Sequence, residues 1–145
     1  MSDLRNSPLL DAQIRRLMIP AERVACVQFN NSLDHALLIL IKSGYSAIPV
    51  LDEKSTTVQG TISKTLILDS ILGLERIEVE QLRDKTVAEV MDEKVPRIKE
   101  SSPFFKALEL SINRPFLCVE GEDGNFLGIL TRKAILALIY QHLRN

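Results

Sequence analysis

The chain has 145 residues, of which 46% are hydrophobic and 26% are charged, so it is long and apolar enough to bury a core rather than stay disordered. Its formal net charge of −1 gives no concentrated basic field for binding DNA, RNA or an anionic membrane. The apolar stretch "ALLILI" is too short to span a bilayer and the N-terminal "MSDLRNSPLL" lacks the form of a signal peptide, so we expect a cytoplasmic protein with neither nucleic-acid nor membrane partners.

The first half of the chain predicts a strand, a helix, two strands and a second helix. The stretch "RVACVQF", which starts at Arg23, is a predicted short strand. Ser32 is the expected N-cap of the amphipathic helix "LDHALLILIKSG", which ends at Gly44. "SAIPVLD" and "VQGTIS" are predicted strands joined by the polar turn "EKSTT", and "KTLILDSILGL" is predicted to be the second helix.

A charged segment separates this half from a second set of elements. The segment "ERIEVEQLRDKTVAEVM" contains no Gly, Pro or Ser, which favours partial helix over a flexible linker. Then follow the strand "PRIKE", a helix from Pro103 to Asn113 with its proline in the first turn, the strands "PFLCVEG" and "FLGIL" around the turn "EDGN", and the helix "RKAILALIYQHL".

The second set of elements repeats the first. The aligned pairs are Met18 with Met91, Val27 with Ile98, Gly60 with Gly128 and Ser63 with Thr131. An internal repeat of this length predicts two copies of one supersecondary unit. We therefore expect an α/β (α+β) fold with one unit at residues 14–74, a connecting segment at 75–89 and a second unit at 90–143.

The repeated pattern is a strand ending like "IPVLD" followed by a G-h-h-[S/T] motif that opens a helix, as in "GTIS" and "GILT". This tandem pattern resembles a pair of CBS domains. The resemblance implies two units, each β-α-β-β-α, that pack as one pseudo-symmetric Bateman module. It also implies that a nucleotide base inserts into the cleft between the two copies.

Residues at the strand ends are the candidate contacts for that base. Apolar side chains would flank a purine, Tyr45 could stack its ring on the base, and backbone groups along the strand edges could read its polar rim. Alternatively, Tyr45 is a surface residue in the turn that follows the first helix. The candidates on this side are Val24, Ala25, Val27, Tyr45, Ser46, Ala47, Ile48 and Pro49.

The phosphate side of the expected ligand needs donors and positive charge. Thr131 lies at a predicted helix N-terminus, Arg132 offers a planar guanidinium, and Gly128 allows close backbone approach. Ser63 and Lys64 are the corresponding candidates in the first copy, and Arg23 is a further cationic candidate. Alternatively, the two hydroxyls are simple helix N-caps and the arginine is solvated.

The residues after these motifs bear on the choice of ligand. CBS units that bind AMP or ATP usually continue G-h-h-[S/T]-x-x-D, where the aspartate accepts hydrogen bonds from two free ribose hydroxyls. Here the position is Leu66 in one copy and Ala134 in the other. A dinucleotide cyclised 3′ to 5′ has no free ribose diol and carries two phosphates, so the pattern favours such a cyclic dinucleotide over AMP or ATP. An AMP or ATP energy sensor is the alternative.

Longer stretches, including "ILGLERIEVEQL", "TVAEVM" and "GILTRK", resemble the CbpB (DarB) family of cyclic-di-AMP-binding CBS-pair proteins from Gram-positive bacteria. The resemblance implies a homodimer that senses cyclic di-AMP and, without the ligand, stimulates a Rel-type (p)ppGpp synthetase and, in some members, pyruvate carboxylase. The charge run at Glu75, Arg76, Glu78 and Glu80 is either a solvated face or a partner surface.

Enzymatic motifs are absent from the sequence. There is no G-x-x-x-x-G-K-[S/T] loop, G-x-S-x-G elbow or H-E-x-x-H pair. His35 and His142 are expected on helix faces, and Cys26 and Cys118 as reduced core residues. We therefore expect no catalytic residues, no metal ligands and no cofactor, with a constitutive dimeric scaffold as a third possible function.

Overall fold

The computed structural model describes residues 13–144, and these fall into two compact units. The repeat-1 unit runs from Ala25 to Val95, and the repeat-2 unit combines the described residues up to Val24 with the segment that starts at Pro96. Across residues 13–144, no helix has both the length and the apolar character that a membrane crossing requires.

The helices and strands follow the repeat closely. The strands are β1 Ile19–Pro20, β2 Val27–Gln28, β3 Ala47–Leu51, β4 Val58–Ser63, β5 Arg97–Lys99, β6 Phe116–Glu120 and β7 Phe126–Thr131. The helices are α1 Ile14–Leu17, α2 Leu33–Ser43, α3 Lys64–Ser70, α4 Gln81–Asp84, α5 Val87–Val90, α6 Phe104–Ser111 and α7 Arg132–Arg144.

In the repeat-1 unit, the strands form a mixed sheet in the order β2-β3-β4. β2 is parallel to β3, and β3 is antiparallel to β4. Leu33, Ala36 and Leu40 lie on one face of α2 at helical spacing and are fully buried in the same cluster as Val50 and Ile62 of the sheet. This apolar cluster is the core of the unit.

In the repeat-2 unit, the sheet has the order β1-β7-β6-β5, with β5 parallel to β6 and the other pairs antiparallel. Phe104 and Ala107 of α6 pack in its core with Leu117, Leu130 and Ile135. The α/β fold with two copies of one unit, expected from the sequence, is therefore confirmed.

The segment ahead of each repeat completes the sheet of the other repeat. β1 pairs with β7, where Ile19 lies opposite Ile129. In the other unit, Asp92 and Thr61 exchange two backbone hydrogen bonds of 2.8 and 2.9 Å. The two arrangements correspond in the repeat, and the contacts divide the chain after Val24 and after Val95. The limits 14–74, 75–89 and 90–143 stay predictions about the repeats.

Two equivalent glycines make room for these leading segments. A Cβ on Gly128 would lie 2.1 Å from the carbonyl oxygen of Ile19, and a Cβ on Gly60 would lie 2.8 Å from that of Asp92. The close approach at Gly128 that the sequence suggested for a ligand is thus made by the chain's own backbone.

Three predicted elements differ from the structure. The strand expected from Arg23 is only Val27–Gln28, because residues Ala21–Arg23 form a 3-10 turn closed by a 3.1 Å hydrogen bond from Val24 N–H to the Ala21 carbonyl. The helix expected to reach Leu74 ends at Ser70, where the chain enters a hairpin. Pro103 is the N-cap of α6 and lies just before the first turn.

Candidate functional site

In each unit, the start of one strand lies beside the start of a helix: β3 beside α3, and β6 beside α7. In the repeat-1 unit, Ala47 lies opposite Ser63, and Lys64 N–H donates to the Ser46 carbonyl at 3.2 Å. In the repeat-2 unit, Phe116 lies opposite Thr131, and Arg132 N–H donates to the Pro115 carbonyl at 2.9 Å. The fold therefore places each pair of polar candidates beside a strand start.

The edge of β3 is open where the base was expected to bind. β2 pairs with β3 only at Val50 and Leu51. On the side away from β4, Ala47 therefore has no ladder partner within residues 13–144, whereas Ile48 pairs with Ile62 of β4 and Pro49 has no N–H to donate. Unpaired backbone groups at a strand edge can bind the polar rim of a purine.

Tyr45 and Ser46 lie just ahead of this edge and are both exposed. Gly44 ends α2 in the left-handed region at φ 78°, which turns the chain toward β3. The side chain of Tyr45 is 39% exposed, and its N–H donates to the Ser43 hydroxyl at 3.4 Å. The ring is accessible for stacking, and both interpretations of Tyr45 remain compatible with its place in the turn.

Several of the apolar candidates serve the core. Val27 and Ile48 are buried in the core cluster of the repeat-1 unit, Pro49 is also buried, and Ala25 packs against that cluster. The side chains of Val27 and Ile48 are therefore occupied by packing. Their backbones are also part of the sheet, because Val27 pairs with Val50 and Ile48 pairs with Ile62.

Arg23 and Val24 belong to the repeat-2 unit. The 3-10 turn that carries Arg23 packs against β7, the strand that ends at Thr131. Arg23 is exposed, whereas Val24 is buried. The exposed arginine and the motif "GILTRK" are thus held in one unit, and the candidates from Ala25 to Pro49 are held in the other.

Both candidate hydroxyls cap helices. The Ser63 hydroxyl accepts a hydrogen bond from Leu66 N–H at 3.0 Å, and the Thr131 hydroxyl accepts one from Ala134 N–H at 3.1 Å. This confirms the N-cap interpretation for Ser63 and Thr131. A capping hydroxyl that accepts one hydrogen bond still has its own hydrogen to donate.

Arg132 is bound within its own unit and is not simply solvated. Its Nε donates to the Ser111 carbonyl at 2.8 Å, and its Nη2 lies 3.4 Å from the Ile112 carbonyl. The guanidinium therefore satisfies carbonyl groups at the C-terminal end of α6. Sequence reasoning missed this role, although the lack of a glycine after α6, in "SINRPF", was a signal for it.

Among residues 13–144, no group of three or more His, Cys, Asp or Glu side chains is arranged to hold a metal ion. Cys26 and Cys118 are both free, and burial raises the pKa of Cys26 and raises that of Cys118 to about 12. Neither cysteine forms a disulfide, as predicted. Cys118 is buried as expected of a core residue, whereas Cys26 is only half-buried. His35 is exposed on α2 and His142 lies on α7, so both are on helices as expected.

The chain belongs to the CBS-domain family. The family model, described as "CBS domain", matches residues 14–73 and 87–141. These two matches follow the two repeats. The resemblance of the repeated motifs to a CBS pair is therefore confirmed.

Three relatives are similar over nearly the whole chain. Cyclic di-AMP receptor B of Bacillus subtilis (strain 168) is 45% identical over 145 residues, which are 100% of this chain and 98% of the relative. A CBS domain-containing protein of unknown function from Bacillus anthracis has a TM-score of 0.85 at 52% identity and covers 92% of this chain and 96% of its own. The CbpB protein of Listeria monocytogenes in complex with c-di-AMP has a TM-score of 0.82 at 43% identity and covers 95% and 98%.

Proposed function

We propose that this chain is a non-catalytic receptor for cyclic di-AMP that regulates a partner enzyme. The observation that carries the proposal is the 45% identity, across the full chain, to a protein named cyclic di-AMP receptor B. The similarity to a CbpB structure that contains c-di-AMP supports the same ligand. Both likenesses extend over both repeats.

The chemistry of the described residues supports a ligand without a free ribose diol. Leu66 and Ala134 occupy the position where AMP- and ATP-binding units usually have an aspartate, and each packs against the core of its unit. Neither side chain can accept hydrogen bonds from ribose hydroxyls. A cyclic dinucleotide does not need that acceptor, because its 3′ oxygen is esterified.

The proposed contacts divide by chemistry. The start of β3, at Ser46, Ala47, Ile48 and Pro49, would bind the base, with Tyr45 stacked on it. Thr131 and Arg132 would bind phosphate, and Arg23 would add a second positive charge. Val24, Ala25 and Val27 complete the proposed set. We propose no catalytic residue, metal ligand or cofactor.

The first test is isothermal titration of the purified protein with cyclic di-AMP, with AMP and ATP titrated in parallel. We expect micromolar or tighter binding of cyclic di-AMP alone. A preference for AMP or ATP would instead identify an energy sensor. If none of the three nucleotides binds, the result would favour a constitutive dimeric scaffold as the function.

The phosphate contact is tested with Arg132→Ala, and Lys133→Ala is the matched control because Lys133 is the next cation on α7 and is exposed. Loss of a charge-assisted contact should weaken cyclic di-AMP binding by about tenfold or more, whereas the control should change little. Because Arg132 also caps α6, the folded fraction of each variant is measured first. Unchanged affinity in a folded Arg132→Ala protein would remove Arg132 from the site.

The regulatory part of the proposal concerns a homodimer and its partner. We propose a Rel-type (p)ppGpp synthetase as the first partner to test and pyruvate carboxylase as the second. If cyclic di-AMP switches the receptor, ligand and partner must alter each other's affinity by the same factor. Partner affinity that stays the same at saturating cyclic di-AMP would contradict the switch.

A further inference from the structure

Beyond α3, the repeat-1 unit carries an ordered hairpin at residues 71–80. Leu72 and Ile77 form an antiparallel bridge. Gly73 N–H donates to the Arg76 carbonyl at 2.8 Å, and Glu78 N–H donates to the Ile71 carbonyl at 2.7 Å. These two backbone hydrogen bonds, one near the tip and one near the base, fix the conformation of the hairpin.

Side chains hold the base of the 71–80 hairpin. Arg76 and Glu80 form an ion pair, which lowers the pKa of Glu80 to about 2. Glu78 accepts a hydrogen bond from the side-chain amide of Gln81. Ile71 is 1% exposed and anchors the hairpin in the unit. Because the hairpin is already ordered, a partner would lose little free energy in fixing it.

The hairpin presents aliphatic side chains that the core does not use. Leu74, at the tip, is 106% exposed, and Leu72, Ile77 and Val79 are each more than half exposed. Single exposed aliphatic residues are common on protein surfaces, but four on one short, ordered hairpin form a patch of the kind that marks an interaction site.

A groove extends this patch. A cavity of about 470 Å³ is lined by Asp34, Val79, Glu80, Leu82, Arg83 and Asp84. Val79 and Glu80 belong to both the groove and the hairpin. The exposed surface therefore continues from the tip of the hairpin to the start of α2 and to α4.

The polar rim of this surface is acidic. It contains Glu75, Glu78, Glu80, Asp34 and Asp84, against only Arg76 and Arg83. The charges of Arg76 and Glu80 offset each other in their ion pair, which leaves four carboxylates against Arg83. A two-fold contact with a second copy would bring these like charges together, which is unfavourable. A rim of this kind suits a basic surface instead.

We infer that the 71–80 hairpin is a docking surface for a protein partner that offers an apolar pocket bordered by lysine or arginine. Leu74 enters the pocket, and the carboxylates of Glu75 and Glu78 face the basic border. Central aliphatic anchors contribute to affinity, while rim charges mainly raise the association rate and set its salt dependence. The identity of the partner rests on the proposed function, and the surface itself rests on the hairpin.

The test titrates the purified Rel-type synthetase against the full-length protein and its Leu74→Ser, Glu75→Lys and Glu78→Lys variants. Leu143→Ser is the control for loss of an exposed leucine, and Glu53→Lys is the control for a reversed surface charge. Leu74→Ser should weaken partner binding by about tenfold or more. The two charge reversals should slow association and flatten its salt dependence, while both controls should change little.

Two further measurements separate this inference from the proposed function. Cyclic di-AMP affinity and the oligomeric state should be the same in Leu74→Ser as in the wild type. If the wild type binds the synthetase and all hairpin variants bind it equally well, the docking surface is wrong, but the proposed receptor function is unaffected. If Leu74→Ser loses the homodimer, the hairpin belongs to the dimer contact. If the wild type binds no synthetase, both the partner assignment and this surface fail, whatever the nucleotide titration shows.

Discussion

The two repeats share one framework but end their first helix in different ways. α2 ends at Gly44, whose left-handed backbone lets its N–H bond to the Leu40 carbonyl at 3.0 Å. α6 has no glycine there, and Arg132 supplies the donors instead. Lys64, the counterpart of Arg132, has no side-chain hydrogen bond within residues 13–144. The equivalent residues Lys64 and Arg132 therefore have different roles in the two units. The motif alone does not show which of the two cations is available to a ligand.

The largest expected difference between the repeats concerns their equivalent glycines. A Cβ on Gly128 would overlap the Ile19 carbonyl at 2.1 Å, whereas on Gly60 the contacts are 2.8 Å from the Asp92 carbonyl and 2.8 Å from the sulfur of Met91. We expect Gly128→Ala to lower the free energy of unfolding by about 3 kcal/mol or more, and Gly60→Ala by about 1–2 kcal/mol. Urea unfolding measures both. Equal losses would mean that the two leading segments fit their sheets equally tightly.

The second expected difference concerns the cations that follow the motifs. Arg132→Ala leaves carbonyl groups at the end of α6 without their donor, and should lower the free energy of unfolding by about 1–2 kcal/mol. Lys64→Ala should change it by less than about 0.5 kcal/mol. Both are measured by urea unfolding without nucleotide. A loss as small for Arg132→Ala as for Lys64→Ala would remove the capping role.

The hydroxyl caps should behave alike in the two repeats. Removal of the cap by Ser63→Ala or Thr131→Val should lower the free energy of unfolding by about 1 kcal/mol in each case. Titration with cyclic di-AMP then separates the proposed second role, because only Thr131→Val is expected to weaken ligand binding. If both variants keep wild-type affinity, Thr131 is a cap and nothing more.

The smallest effect concerns the turn between β3 and β4. Asp52 accepts hydrogen bonds from Thr56 N–H at 2.7 Å and Thr57 N–H at 3.1 Å, which lower its pKa from 3.8 to about 2. Because the folded-state pKa is lower, the stabilising contribution is present above about pH 4 and is lost as the pH falls toward 2. The urea midpoint should therefore fall between about pH 5 and about pH 3, and fall less in Asp52→Asn.

The control for this prediction lies in the matching turn of the second repeat. Asp123 accepts one backbone hydrogen bond, from Asn125 N–H at 3.0 Å. Asp123→Asn should therefore alter the acid dependence of the urea midpoint less than Asp52→Asn does. The opposite order would show that the hydrogen bonds of Asp52 do not control the acid response.

Much of the fold was predictable because it depends on local signals. The strand "VQGTIS" coincides with β4, the helix after Ser32 ends at Gly44 as expected, and the C-terminal helix begins at Arg132. Alternation, capping residues and glycine at a helix end act over a few neighbouring residues, so they can be recognised in the sequence. The strand expected at Arg23 failed because a 3-10 turn competes there.

The sequence by itself determined the repeat, the family and the positions of the polar candidates, because these depend on the order of residue types along the chain. Only the tertiary structure showed that the backbone of β1 occupies the space beside Gly128, that Arg132 caps α6, and that the side chains of Val27 and Ile48 belong to a core. Only it showed that the charge run after α3 is an ordered hairpin with an exposed leucine at its tip. The contacts of Gly128, Arg132 and the core residues join segments distant in sequence, and the exposure of the leucine is a measure of burial. Neither can be derived from the local order of residues.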